Sequence, residues 1–135
     1  MYKNILIPVI LDHPEKNETA FEAARALADE GAHFTLLHVI EEIPVYVSEY
    51  VPNDFIVEAR KTLRSRLDEL AKMLPNCHAA TAEGRPGTQI LKWASQNNSD
   101  CIVIASHQPN ISDILLGSVA HYVVRHAKCA VHVIR

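Results

Sequence analysis

The sequence predicts an α/β fold, one domain with a parallel sheet covered by helices on both faces. Three observations predict it. Short apolar runs alternate along the chain with segments whose apolar residues recur every three or four positions. The runs are apolar throughout rather than at every second residue, as expected of parallel strands buried on both faces. At 135 residues the chain has room for a single domain and one substantial core, spanning residues 1–135.

Taken in order, residues 3–9 (Lys-Asn-Ile-Leu-Ile-Pro-Val) read as a central strand. Residues 17–30 place Ala20, Ala23, Ala24, Leu27 and Ala28 at helical spacing, with Gly31 as the expected C-cap. His33 to Ile40 is the second strand. A loop carrying Pro44 and Pro52 leads to a helix over 54–74, where Ile56, Ala59, Leu63, Leu67, Leu70 and Leu74 share a face and Pro75 stops the run. A third strand is expected near 77–82. Gly84-Arg-Pro-Gly87 is a turn, after which Thr88 starts a helix with Ile90, Leu91 and Ala94 inward. A fourth strand over 100–105, a helix over 118–127 and a fifth strand over 129–134 complete the pattern. Crossovers between such strands are right-handed.

Composition excludes several function classes. The chain is 48% hydrophobic and 21% charged, ordinary for a globular domain. A formal net charge of −3 speaks against a nucleic-acid footprint, which needs a basic face. Arg60, Lys61, Arg64 and Arg66 do gather, but Glu58, Asp68 and Glu69 interleave with them, which reads as a solvated helix face. No apolar run is long enough for a membrane span, and the N-terminal segment lacks the features of a signal peptide. Cys77, Cys101 and Cys129 are odd in number and at no ligand-like spacing, so they read as reduced structural thiols and the expected location is cytoplasmic.

The chemistry-bearing stretch is the last third. Cys101-Ile-Val-Ile-Ala-Ser106 is an apolar run ending in small residues, and Gly117-Ser118 opens the helix that follows. A helix N-terminus offers free N–H groups and the positive end of a dipole to an anion, and glycine admits a ligand close to the backbone. In an open parallel sheet, ligands sit beyond the carboxyl ends of the strands. The candidate contacts are therefore Pro8, Val9, His38, Val39, Ile40, Ala105, Ser106, His107, Gly117, Ser118 and Val119. Gly-Ser at a helix start also reads as a turn glycine with an N-cap serine.

Other chemistries find less support. The eight histidines show no His-x-x-x-His pair. His38 reads as a hydrogen-bonded core histidine, and His107 either points toward phosphates or packs on the sheet edge. Ser106 and His107 are neighbours in sequence, which makes no nucleophile–base pair, and no Gly-x-Ser-x-Gly elbow accompanies them. The paired acids of a response regulator are missing, and no Gly-x4-Gly-Lys-Ser/Thr loop is present. Tyr46 and Tyr50, among Ile43, Val45, Val47 and Val51, read as an apolar cover over the sheet or over a bound base, or as a partner contact.

Several segments together resemble the universal stress protein family, over essentially the whole chain. They are Tyr2-Lys-Asn-Ile-Leu-Ile-Pro-Val9, Leu36-Leu-His-Val-Ile40, Glu83-Gly-Arg-Pro-Gly-Thr-Gln-Ile90, Ile104-Ala-Ser-His107, Leu115-Leu-Gly-Ser-Val119 and Val124-Arg-His-Ala-Lys-Cys-Ala-Val131. The resemblance implies strand order 3-2-1-4-5, an adenine nucleotide alpha-hydrolase-like sheet and a stress-response or regulatory role without catalysis, although slow ATP hydrolysis is an open possibility. It also implies ATP with Mg²⁺ as ligand and a homodimer through the C-terminal edge strand. The base is expected near Val39, the ribose near Pro8, Val9 and Ile10, and the phosphates against Ile104, Ala105, Ser106, His107 and Gly117, Ser118, Val119. The family's Gly-x2-Gly-x9-Gly-Ser/Thr pattern is partial here: Ala105 and Gln108 replace its first two glycines, and the loop is one residue shorter. Many members carry aspartate toward the ribose where this chain has Ile10, so either Asp12 or backbone groups would hold the ribose hydroxyls. The rival reading is a dimeric interaction module of the same fold that binds no nucleotide.

Overall fold

A computed structural model describes residues 1–11, 14–41, 45–106 and 116–135, without the side chains of residues 45 and 48. Its strands are β1 (Tyr2–Pro8), β2 (Ala28–Ile40), β3 (Cys77–Glu83), β4 (Cys101–Ala105) and β5 (Ala130–Ile134). The helices are α1 (Pro14–Leu27), α2 (Val45–Ser48), α3 (Asn53–Ala71), α4 (Pro86–Gln96) and α5 (Ser118–His126). All pairings are parallel, and the strands lie in the order β3-β2-β1-β4-β5.

The apolar runs are continuous because the central strands have two covered faces. Ile5, Ile7, Phe34, Leu36 and Val103 meet α1 and α3 through Ala20, Phe21, Ala24, Leu67 and Ala71. Leu6, Leu37, Ile102 and Ile104 meet α4 and α5 through Ile90, Ala94, Ala120 and Val123 on the other face. Each fully buried Leu or Ile contributes about 1.5–3 kcal/mol by leaving water. Gly87 sets the spacing of the second layer: a Cβ there would lie 2.5 Å from Cδ1 of Tyr122, so α4 and α5 approach only because glycine has none.

Four boundaries depart from the periodicity. The first helix ends at Leu27, and Ala28 and Gly31 belong to β2, so Gly31 is no C-cap. Tyr2 pairs with Ala28 but Asn4 pairs with His33, which leaves three more residues on β2 than on β1. Gly31, at φ 77°, lies within that bulge, where a left-handed backbone favours glycine. The long helix stops at Ala71, although Leu74 stays buried against the same layer. The fourth helix begins at Pro86, with Arg85 rather than Thr88 at the N-cap, because proline's fixed φ suits the first helical position. The proline-bearing loop contains the short α2, and Tyr46 and Tyr50 are 72% and 87% exposed, so they do not cover the sheet.

Candidate functional site

Strand order determines where a crevice opens. From β1 the chain winds outward to β2 and β3, then returns to the other side of β1 for β4 and β5. Helices therefore diverge at the carboxyl ends of β1 and β4, the switch point where such sheets bind ligands. A cavity of about 470 Å³ opens across the carboxyl ends of β1, β2 and β4, within the range of about 300–1,000 Å³ usual for small-molecule sites. Pro8, Val9, Ile10, Val39, Ile104, Ala105, Gly117 and Val119 all line it. His38 lines it too, half-buried rather than in the core.

Three expected contacts, Ile40, Ser106 and Ser118, lie outside its lining. Ser106 is 8% exposed, and its Oγ accepts a hydrogen bond from the Gly117 N–H at 2.7 Å. Its hydroxyl thus ties the end of β4 to the start of α5. Ser118 is exposed, and Gly117 rather than Ser118 is the N-cap. At φ −59° and ψ 152°, Gly117 has a backbone open to any residue, so its value is its lack of a side chain in a buried wall. His107, Gln108 and Asp12 lie outside the described residues.

Polar side chains from distant segments shape the rim. Asn17, 3% exposed, accepts from the Ile10 N–H at 2.9 Å and donates to the Ile10 carbonyl at 2.6 Å. A buried amide needs such partners, and here it finds both on one residue. The Ile10 backbone is thereby engaged, which counts against its holding ribose hydroxyls. Lys16 Nζ donates to the Ser106 carbonyl at 2.8 Å, carrying a positive charge from α1 to the end of β4. Arg66 Nη2 donates to the Leu11 carbonyl at 3.1 Å and lines the cavity from α3.

Arg66 is exposed, as the solvated helix face read from sequence requires, and it also reaches the cavity rim. Its neighbours pair along the helix: Arg64 with Asp68 at 3.4 Å and Lys61 with Glu58 at 3.6 Å. Leu11, Leu37, Glu41, Pro86, Ile90 and Ala120 complete the lining and were also not anticipated. Leu37 and Ile90 looked like core residues, which they are, at its upper layer. Only Asn17 left a trace in sequence, a polar residue at the start of an otherwise apolar helix face.

The arrangement suits binding. Burial pushes the Cys77 and Cys101 thiols up to about 11, which makes both poor nucleophiles near neutral pH. Among the described residues no group of three or more His, Cys, Asp or Glu gathers to hold a metal ion. No helix among them is long and apolar enough to cross a membrane.

Comparison with known proteins agrees with this geometry. The sequence model of the universal stress protein family matches residues 1–135. Universal stress protein A homolog 2 of Coxiella burnetii is 31% identical, over 99% of this chain and 95% of that protein. The hypothetical protein MJ0577 superposes with a TM-score of 0.81 at 28% identity, over 99% of this chain and 96% of the other. A universal stress protein from Archaeoglobus fulgidus, solved in complex with dAMP, shares the fold with a TM-score of 0.63 at 22% identity, over 99% of this chain and 98% of the other. From its first strand to its last, this chain belongs to the universal stress protein family.

Proposed function

We propose that the cavity binds ATP and that the protein acts as a cytoplasmic regulatory or stress-response protein through that binding, without turnover. One observation carries the reading. The switch-point cavity has an apolar side formed by Leu37, Val39, Pro86 and Ile90, and at another part of its wall the amino end of α5. The apolar side suits a purine base. The α5 start, with Lys16 nearby, suits phosphates by dipole and charge. The sugar then lies over Pro8, Val9 and Ile10. A protein with this fold has been solved in complex with dAMP, which supports reading the fold as one that accepts an adenine nucleotide. Mg²⁺ would be held by the phosphates and water, as that ion commonly is.

A single bond favours the rival reading of an interaction module: the Gly117 N–H is already engaged by Ser106. Thermal unfolding with and without millimolar Mg-ATP decides between them. A ligand that binds only the folded state adds about 2.7 kcal/mol at a hundredfold excess over Kd, a shift of several degrees. Coincident melts together with a flat calorimetric titration would overturn ATP binding. Both readings include a homodimer through β5, a half-buried apolar strand at the sheet edge whose unpaired side is a template for a second copy.

A further inference from the structure

We infer that the protein has a second ligand site, at the opposite end of the sheet from the switch-point cavity, and that it takes a small carboxylate with an apolar body. A cavity of about 440 Å³ opens there between the ends of α4 and α5, against the amino ends of β4 and β5. It shares no lining residue with the switch-point cavity, so it does not depend on the nucleotide reading. The segments outside the description all follow the carboxyl end of a strand, on the far side of the sheet. Leu91, Ala94, Ile102 and Ala127 give the cavity an apolar floor, of which Ala94 and Ile102 belong to the buried layer under α4 and α5. His126 makes a fixed wall. Its Nδ1 donates to the Tyr122 carbonyl at 2.9 Å, and the two rings lie 4.3 Å apart between centroids.

The polar part of the lining is cationic. The chain has 16 acids against 13 Lys and Arg, yet no Asp or Glu stands between Glu83 and Asp100 or after Asp113, so α4 and α5 carry none. Lys92 and Lys128 line the cavity, and neither has a hydrogen bond or ion pair among the described residues. A lysine near a helix end commonly serves the free carbonyls there. Here other groups serve them: the Asn97 N–H donates to Trp93 at 3.0 Å, the Ser99 N–H to Ala94 at 2.9 Å and the Ala127 N–H to Val123 at 2.8 Å. Asp100, next in sequence to the lining Ser99, turns its two oxygens to the N–H groups of Lys3 and Asn4 at 2.9 and 3.0 Å. Two ammonium groups beside an apolar floor suit a ligand with one anionic group on an apolar body. The carbonyl ends of two helices disfavour a multiply charged group, which sets a carboxylate above a phosphate.

The test is titration of the isotope-labelled full chain, followed by its amide resonances, with three probes: naphthoate, its neutral counterpart naphthamide, and inorganic phosphate. Naphthoate should shift residues 91–99 and 126–129 saturably, with a Kd of about 1 mM or tighter for a ligand of this size. Naphthamide, which lacks the charge, and phosphate, which lacks the apolar body, should each bind about tenfold more weakly. Lys92→Gln combined with Lys128→Gln should weaken naphthoate by about tenfold. Ser95→Leu fills the cavity from an exposed position on α4, where leucine is a good helix former, and should abolish binding with circular dichroism unchanged. Shifts that never saturate, or that fall at the switch-point cavity instead, overturn the site. Naphthamide binding as tightly as naphthoate, or an affinity that survives the double lysine variant, overturns the anionic ligand, and phosphate binding as tightly overturns the apolar body. ATP titrated into the same variants should bind as to the parent, so loss of the nucleotide reading is read separately.

Discussion

The two rims of the cavity are held by different means. Beside β1, a buried side chain grips Ile10 by both its N–H and its carbonyl, at 2.9 and 2.6 Å. Beside α5, one hydroxyl, that of Ser106, holds one backbone donor, that of Gly117, at 2.7 Å. The first rim is closed on itself, because its polar groups are engaged within the protein. The second is exchangeable, since a phosphate oxygen can replace a neutral hydroxyl at Gly117 with a charged acceptor. The comparison teaches a division of labour: the β1 rim fixes the shape of the cavity, and the α5 rim keeps the helix end that the proposed nucleotide would meet with its phosphates.

The largest expected effect breaks the α5 side. Gly117→Val puts a branched side chain into the buried wall without straining a backbone at φ −59°. ATP binding should vanish in calorimetry while circular dichroism remains that of the parent. Binding at parental affinity would remove Gly117 from the phosphate site.

Breaking the β1 side should act on stability first. Asn17→Ala leaves both Ile10 groups without their partner, at a cost of about 2 kcal/mol in urea unfolding, with weaker nucleotide binding as the rim loosens. Asn17→Asp keeps the acceptor and loses the donor, so it should fall between. A stability unchanged by Asn17→Ala would mean that the rim is held by something else.

A smaller change sharpens the contrast. Ser106→Ala frees the Gly117 N–H, so stability should drop by about 1 kcal/mol while ATP affinity holds or rises. A large loss of affinity would instead make Ser106 a ligand contact. The smallest stability effect belongs to Ser118→Ala. That side chain is exposed and makes no hydrogen bond among the described residues, so the change should stay within about 0.5 kcal/mol. Any clear loss of ATP affinity in this variant then reports a direct phosphate contact, and an unchanged affinity takes Ser118 out of the site.

Much of the fold was legible in the chain because its causes are local. Ile5, Leu6 and Ile7 lie in an unbroken apolar run, and all three are fully buried. Leu63, Leu67 and Leu70 recur at helical spacing, and α3 presents them to one layer. Boundaries failed where a partner element set the limit. Gly31 looked like a helix end until pairing with β1 drew residues 28–32 into the sheet. The site was legible in its apolar part for a related reason: strands of a parallel sheet end on one side, so Pro8, Val9, Val39, Ile104 and Ala105 converge on a cavity there.

By itself, then, the sequence determined the alternation of elements, the double-faced core, and the crevice side with its glycine-opened helix. The strand order came from family resemblance, and the structure shares it. Only the tertiary structure decided which polar groups meet at the rim. Asn17 reaches 7 residues back to Ile10, Ser106 reaches 11 forward to Gly117, Arg66 reaches 55 back to Leu11, and Lys16 reaches 90 forward to Ser106. Periodicity carries no trace of such pairs. A charged residue on a helix face follows the same pattern whether it points to water or into a cavity, and only the packing of that helix on the sheet chooses between them.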